Sequence, residues 1–144
     1  MEKPQIMLIQ ETKVSANKLE EILQSFKPHY EVMANDARGM AGGVAIIWNQ
    51  AEVEVDKWIG SSCTISGRFG QIGTREKVMI TTVYGPYIQG EKIDFLNSIR
   101  TLRSQHTEQY WMIGGDFNMI LNLSERKKVE PEEKILKWSC SETF

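Results

Sequence analysis

The chain has 144 residues, a length that suits one domain, with 41% hydrophobic and 25% charged residues as in ordinary globular proteins. A formal net charge of −2 excludes a broad basic field that draws in nucleic acid from a distance, so phosphate binding must rest on a local basic patch or a metal ion. Cys63 and Cys140 have no metal-ligand spacing and read as free thiols in a reducing compartment. With no signal-like leader after Met1 and no membrane-length apolar run, an intracellular protein is expected, the nucleus included, with no membrane partner.

Gln5 to Ile9 reads as a buried strand that turns polar at once in Gln10-Glu11-Thr12-Lys13. Ser15 is a plausible N-cap for a helix whose Leu19, Ile22, Leu23 and Phe26 share one face, and Pro28 stops it. Tyr30 to Ala34 suits a short strand. A loop with three glycines and Arg38 follows, then a buried strand from Gly43 to Trp48. Val53 and Val55 alternate with acids, as in a half-exposed strand leading to Trp58. Cys63 to Phe69 and Lys77 to Tyr84 predict two more strands, the second closed by Gly85-Pro86. Phe95, Leu96, Ile99 and Leu102 define a second amphipathic helix. After Ser124 the composition changes to Arg126-Lys127-Lys128, and Pro131 with Glu132 and Glu133 could open a last short helix. The expected division is a domain over residues 1–124 and a charged tail over 125–144. Strand, helix, several strands, helix, strand argues a sheet-based α/β domain with antiparallel hairpins in the middle.

The stretch from Tyr110 to Leu121 carries the strongest chemical signal. Apolar residues run into Gly114-Gly115, which reads as a buried strand ending in a tight turn, and Asp116 and Asn118 follow. If the chain stays extended, both polar groups lie on one side and Phe117 on the other. The alternative is an Asx-turn that simply ends the strand. Three strands thus end in polar groups, at Glu11, at Tyr84, and at Asp116 with Asn118. If these ends converge, the oxygen ligands favour Mg²⁺ over zinc. Taken singly, Glu11 could be a solvated strand end and Tyr84 a cap on the core edge.

Gln10-Glu11-Thr12-Lys13, Gly42-Gly43-Val44-Ala45, Val83-Tyr84-Gly85-Pro86 and Gly115-Asp116-Phe117-Asn118 occur in the order seen in the endonuclease/exonuclease/phosphatase superfamily. The chain resembles its deoxyribonuclease-I-like members over roughly Pro4 to Ser124. In wording it is most similar to the endonuclease domains of plant LINE-type retrotransposons. The resemblance implies a partial four-layered α/β sandwich, with mixed, mostly antiparallel sheets flanked by helices. It also implies Mg²⁺-dependent phosphodiester hydrolysis of nucleic acid, DNA first, with Mn²⁺ as the alternative ion. Glu11 matches the metal-binding glutamate, and Asp116 the aspartate that orients or deprotonates water. Asn118 matches the partner of that aspartate, and Tyr84 the tyrosine that contacts the scissile phosphate. Arg38, Lys13 and Arg126-Lys127-Lys128 are candidate phosphate contacts, with solvated surface charge as their alternative.

The match has departures. The family begins one strand earlier, with an asparagine near the metal, and Met1 falls in the linker after that strand. The family's late Ser-Asp-His segment has no counterpart after Ser124. Tyr87 stands where many members carry an asparagine. His29 and His106 read as surface residues. These departures set the expectation of a chain truncated at both ends with an incomplete site. Its alternative function is a non-catalytic remnant that at most binds metal or nucleic acid.

Overall fold

The computed structural model describes residues 4–36, 42–106 and 110–120. Arg38, the basic run at 126–128, Cys140, the helix expected from Pro131 and the boundary near residue 124 lie outside them.

The elements in chain order are β1 (Ile6–Gln10), α1 (Ala16–Phe26), β2 (Tyr30–Asn35), β3 (Val44–Asn49), β4 (Val53–Gly60), β5 (Thr64–Gln71) and β6 (Val78–Tyr84). A 3₁₀ turn (Gln89–Glu91), α2 (Lys92–Gln105) and β7 (Trp111–Asp116) complete them. One sheet has the antiparallel order β1-β3-β2. The other has the order β4-β5-β6-β7, antiparallel except for the parallel pair β6–β7, which α2 connects. A parallel pair needs such a crossover, because a two-residue hairpin cannot return the chain to the same end.

Alternation along the strands builds four layers. On β3, Val44 and Ile46 point between the sheets, where they meet Met33, Ile65, Phe69, Ile80 and Tyr84. Ile47 points the other way, onto Leu23 of α1 and Tyr30. On β6, Ile80 and Tyr84 face the inter-sheet core, while Val83 packs under Phe95 and Ile99 of α2. The order is therefore α1, first sheet, second sheet, α2, a mixed α/β sandwich of the deoxyribonuclease-I-like kind. Ser15 caps α1 as its position predicts, its Oγ accepting the Lys18 N–H at 3.2 Å. No helix among the described residues is long and apolar enough to cross a membrane.

Three local expectations change. β1 and β7 are half-buried, because each lies at the edge of its sheet among the described residues. Gly114 and Gly115 do not end the last strand, which runs on to Asp116. A Cβ on Gly114 would stand 2.9 Å from Leu8 Cδ1, and one on Gly115, at φ +140°, would stand 2.1 Å from the Val83 carbonyl oxygen. The pair serves close approach of backbone to neighbours. His29 is exposed, whereas His106 is the half-buried C-cap of α2.

The fully buried Ile46 sits in the inter-sheet core, whereas Phe26 on α1 is 62% exposed. In urea unfolding, Ile46→Ala is expected to cost about 2–5 kcal/mol. Phe26→Ala is expected to stay within about 0.5 kcal/mol of the parent. Equal effects of the two would contradict this layering.

Candidate active site

The ends of β1, β6 and β7 meet at one end of the sandwich. β1 packs across both β6 and β7, and Gln10 Nε2 donates to Thr82 Oγ1 at 2.8 Å, fastening one sheet to the other. Within β1, Ile6 and Leu8 face the inter-sheet core, and Met7 and Ile9 face α1. An extended Glu11 would follow Met7 and Ile9 toward α1. Instead Glu11 takes a left-handed backbone, φ 53°. Its carboxylate then meets the end of β6, where the Tyr84 hydroxyl donates to Glu11 Oε1 at 3.0 Å.

Tyr87 joins this pair from the turn after β6. Its hydroxyl lies 2.9 Å from the Tyr84 hydroxyl and 3.4 Å from Glu11 Oε1. The two rings meet edge-on, centroids 6.0 Å apart. The other carboxylate oxygen, Glu11 Oε2, lies 3.6 Å from Lys13 Nζ, in a pair whose side chains are 40% and 67% exposed. An ion pair so open to solvent adds little to stability. Lys13 is also left-handed, at φ 53°.

Tyr84 faces Asp116 in the register of the parallel pair β6–β7. The Gly85 N–H donates to the Asp116 carbonyl at 2.7 Å, which carries the pairing one residue past the strand. The chain then turns. Asp116 Oδ1 accepts the Asn118 N–H at 2.8 Å, and Asn118 is left-handed at φ 51°. This is the Asx-turn, so the extended course holds through Asp116 and is corrected beyond it. The turn still sends Phe117 against Phe95 of α2, ring centroids 6.3 Å apart. It also brings Asn118 Nδ2 to the Gly85 carbonyl, at 2.6 Å. Gly85 has no room for a side chain, because a Cβ there would lie 2.1 Å from the Phe117 carbonyl oxygen.

The Gly42-Gly43 motif closes the group. The Thr12 N–H donates to the Gly43 carbonyl at 3.4 Å. Gly42, at φ +90°, lies close enough to Tyr84 that a Cβ would stand 3.8 Å from its ring. All four sequence motifs therefore share one end of the sandwich. Glu11 and Tyr84 touch directly, and Asp116 and Asn118 are held beside Tyr84 through Gly85. Arg38 is outside the described residues. Tyr87 is the site residue that sequence reading missed. Its signal was its place three residues after Tyr84, across a Gly-Pro turn that returns the chain toward the same group.

Among the described residues no three His, Cys, Asp or Glu side chains gather as a metal cage. The donors at this end are oxygens: Glu11, Asp116 and two phenols. That set fits a hard cation such as Mg²⁺, which takes one or two protein carboxylates and leaves its other positions to water and phosphate. The Tyr87 hydroxyl, burial and the Glu11 carboxylate all raise the Tyr84 phenol well above its ordinary pKa. Tyr84 is therefore a hydrogen-bond donor throughout the neutral range.

No protein-family model matches the chain, and no curated protein matches it. Solved structures do. D. rerio TDP2 complexed with single-strand DNA product is 12% identical, with 81% of this chain and 49% of that chain covered and a TM-score of 0.60. The human Nocturnin catalytic domain is 13% identical over 80% of this chain and 52% of that chain, at a TM-score of 0.59. An endonuclease/exonuclease/phosphatase family protein from Bacteroides thetaiotaomicron is 14% identical over 80% and 50%, at 0.60. At these identities the likeness establishes the fold, the α/β sandwich these proteins share. The chain spans about half the length of the solved structures it matches.

The raised Tyr84 pKa has a sign. A phenol whose folded pKa lies above the unfolded value of about 10 stabilises the fold fully below that pH. The contribution is lost as pH rises through the folded value. In an alkaline absorbance titration Tyr84 is expected to ionise above the ordinary tyrosine range. Tyr84→Phe should remove that high-pH step. A parent titration with no step that Tyr84→Phe removes above the ordinary tyrosine range would contradict the hydrogen-bonded cluster.

Proposed function

We propose that the chain supplies part of the pocket of a divalent-cation-dependent phosphodiester hydrolase acting on nucleic acid, DNA in the first instance. The observation that carries this reading is the meeting of Glu11, Tyr84 and the Asp116–Asn118 turn at one end of the sandwich. The likeness of its four motifs to the endonuclease domains of plant LINE-type retrotransposons supports an origin among them. The single-strand DNA held by the TDP2 structure of the same fold supports nucleic acid as the substrate class.

In this reading Glu11 would hold the cation, Mg²⁺ or Mn²⁺, with the carboxylate oxygen that the phenols leave open. When bound, such an ion polarises a phosphoryl oxygen and stabilises the leaving oxygen. Tyr84 keeps its proton and can turn it from Glu11 to a phosphate oxygen. Asp116 accepts the proton of the attacking water as the water oxygen bonds to phosphorus and the bond to the leaving oxygen breaks. The Asx-turn fixes one Asp116 oxygen, so the carboxylate meets the water in a set orientation. Asn118 locks the turn to Gly85 and keeps Asp116 at the level of Tyr84. Lys13, at the rim, and Arg38 are the cations offered to the nucleic-acid backbone.

The second reading is a non-catalytic remnant that binds a cation or nucleic acid without cutting it, in which the Lys13 ammonium 3.6 Å from Glu11 Oε2 keeps the place a catalytic ion would take.

Nicking of supercoiled plasmid separates the two readings. The hydrolase reading expects nicking that requires Mg²⁺, stops with chelator, and falls by about 10²–10³ in Glu11→Gln and in Asp116→Asn. Equal background in the parent and both variants, with DNA or Mg²⁺ still bound, would establish the remnant.

A further inference from the structure

We infer that Tyr87 is a positioning residue for Glu11: its hydroxyl, with that of Tyr84, occupies Oε1 and leaves Oε2 to take a divalent cation through a single oxygen. The inference rests on the cation-binding role proposed for Glu11 and deepens it.

Glu11 Oε1 is 3.0 Å from the Tyr84 hydroxyl and 3.4 Å from that of Tyr87, and the hydroxyls are 2.9 Å apart. An ionised carboxylate only accepts, so at least one phenol must donate to it. The second phenol donates either to the same oxygen or to the first phenol. In both arrangements Oε1 is engaged and the carboxylate is fixed in rotation. Oε2 then faces Lys13 Nζ at 3.6 Å and solvent. Lys13, whose side chain is 67% exposed, must swing aside for a small hard cation to take that oxygen, and such an ion binds a carboxylate through one oxygen while keeping several waters.

Packing does not account for Tyr87. The residue is 62% exposed, and its ring contact is a single edge-on meeting with Tyr84. Its hydroxyl is the atom placed with purpose, at the end of a side chain that the Gly85-Pro86 turn carries back toward Glu11. Glu11 itself needs such support. A glutamate has several rotatable bonds and loses freedom when it must hold an ion. Its left-handed backbone at φ 53° aims it but does not fix its outer torsions.

The test uses the full chain, Mn²⁺ as probe, the electron paramagnetic resonance of free Mn²⁺ as readout, and Mg²⁺ as competitor. The parent is expected to bind Mn²⁺ displaceably by Mg²⁺, and Glu11→Gln to lose that binding. Tyr87→Phe, which removes only the hydroxyl, is expected to weaken Mn²⁺ about three- to tenfold. Thermal unfolding in chelator identifies the folded fraction, because a purely structural role for Tyr87 would shift unfolding and leave the affinity of folded protein unchanged. Parent-like affinity in folded Tyr87→Phe, with binding lost in Glu11→Gln, would overturn the role of Tyr87 and leave the hydrolase reading standing. No Mg²⁺-displaceable Mn²⁺ in the parent would overturn the cation reading, and Tyr87 would fall with it.

Discussion

The hydrogen bond from Tyr84 to Glu11 joins residues 73 positions apart, one at the end of β6 and the other just past the end of β1 in the facing sheet. Its geometry depends on how the two sheets stack, because Tyr84 is anchored in the inter-sheet core beside Ile46 and Ile65. The apolar core therefore does more than hold the fold. It sets the height at which the end of β6 meets the end of β1, and the Gln10–Thr82 bond fixes the same height one residue deeper. A shift of one sheet against the other would separate Glu11 from both phenols together.

Backbone strain gathers at the same place. Among the described residues, the three non-glycine positions with positive φ are Glu11, Lys13 and Asn118. Asparagine tolerates this region through its short polar side chain, but for glutamate and lysine it costs about 1–2 kcal/mol each. Such strain persists only where surrounding contacts over-determine it, and it clusters where a chain must present groups in a set direction. Here the contacts are visible. The phenols hold Glu11, the Gly43 carbonyl holds Thr12, and the Gly85 carbonyl holds Asn118. Gly85 and Gly115 allow the two strand ends to approach closely enough for these bonds to form.

Most of the architecture was legible because it rests on short-range patterns. The apolar runs of β3 and β6, the Ser15 cap and the helical spacing of Phe95 and Ile99 are local signals that survive in the fold. What stayed hidden depends on long-range contact. β1 and β7 read as buried from their apolar residues, yet burial depends on a strand's place in its sheet. Gly114-Gly115 read as a turn, because sequence does not show that Leu8 and Val83 press on them. The direction of Glu11 was illegible too, since the period of two sends it toward α1 and a single positive φ reverses it. Tyr87 reads in the sequence as a departure from a pattern, although its hydroxyl completes the cluster.

Glu11 and Tyr84 are coupled in the folded protein, and a double-mutant cycle on stability measures that coupling. Glu11→Ala, Tyr84→Phe and the double variant would be unfolded in urea at neutral pH. The structure predicts a coupling of about 1 kcal/mol, the scale of a partly exposed hydrogen bond to a charged group. Additivity of the two substitutions to within about 0.3 kcal/mol would show that the two strand ends do not meet, and the site described here would not exist.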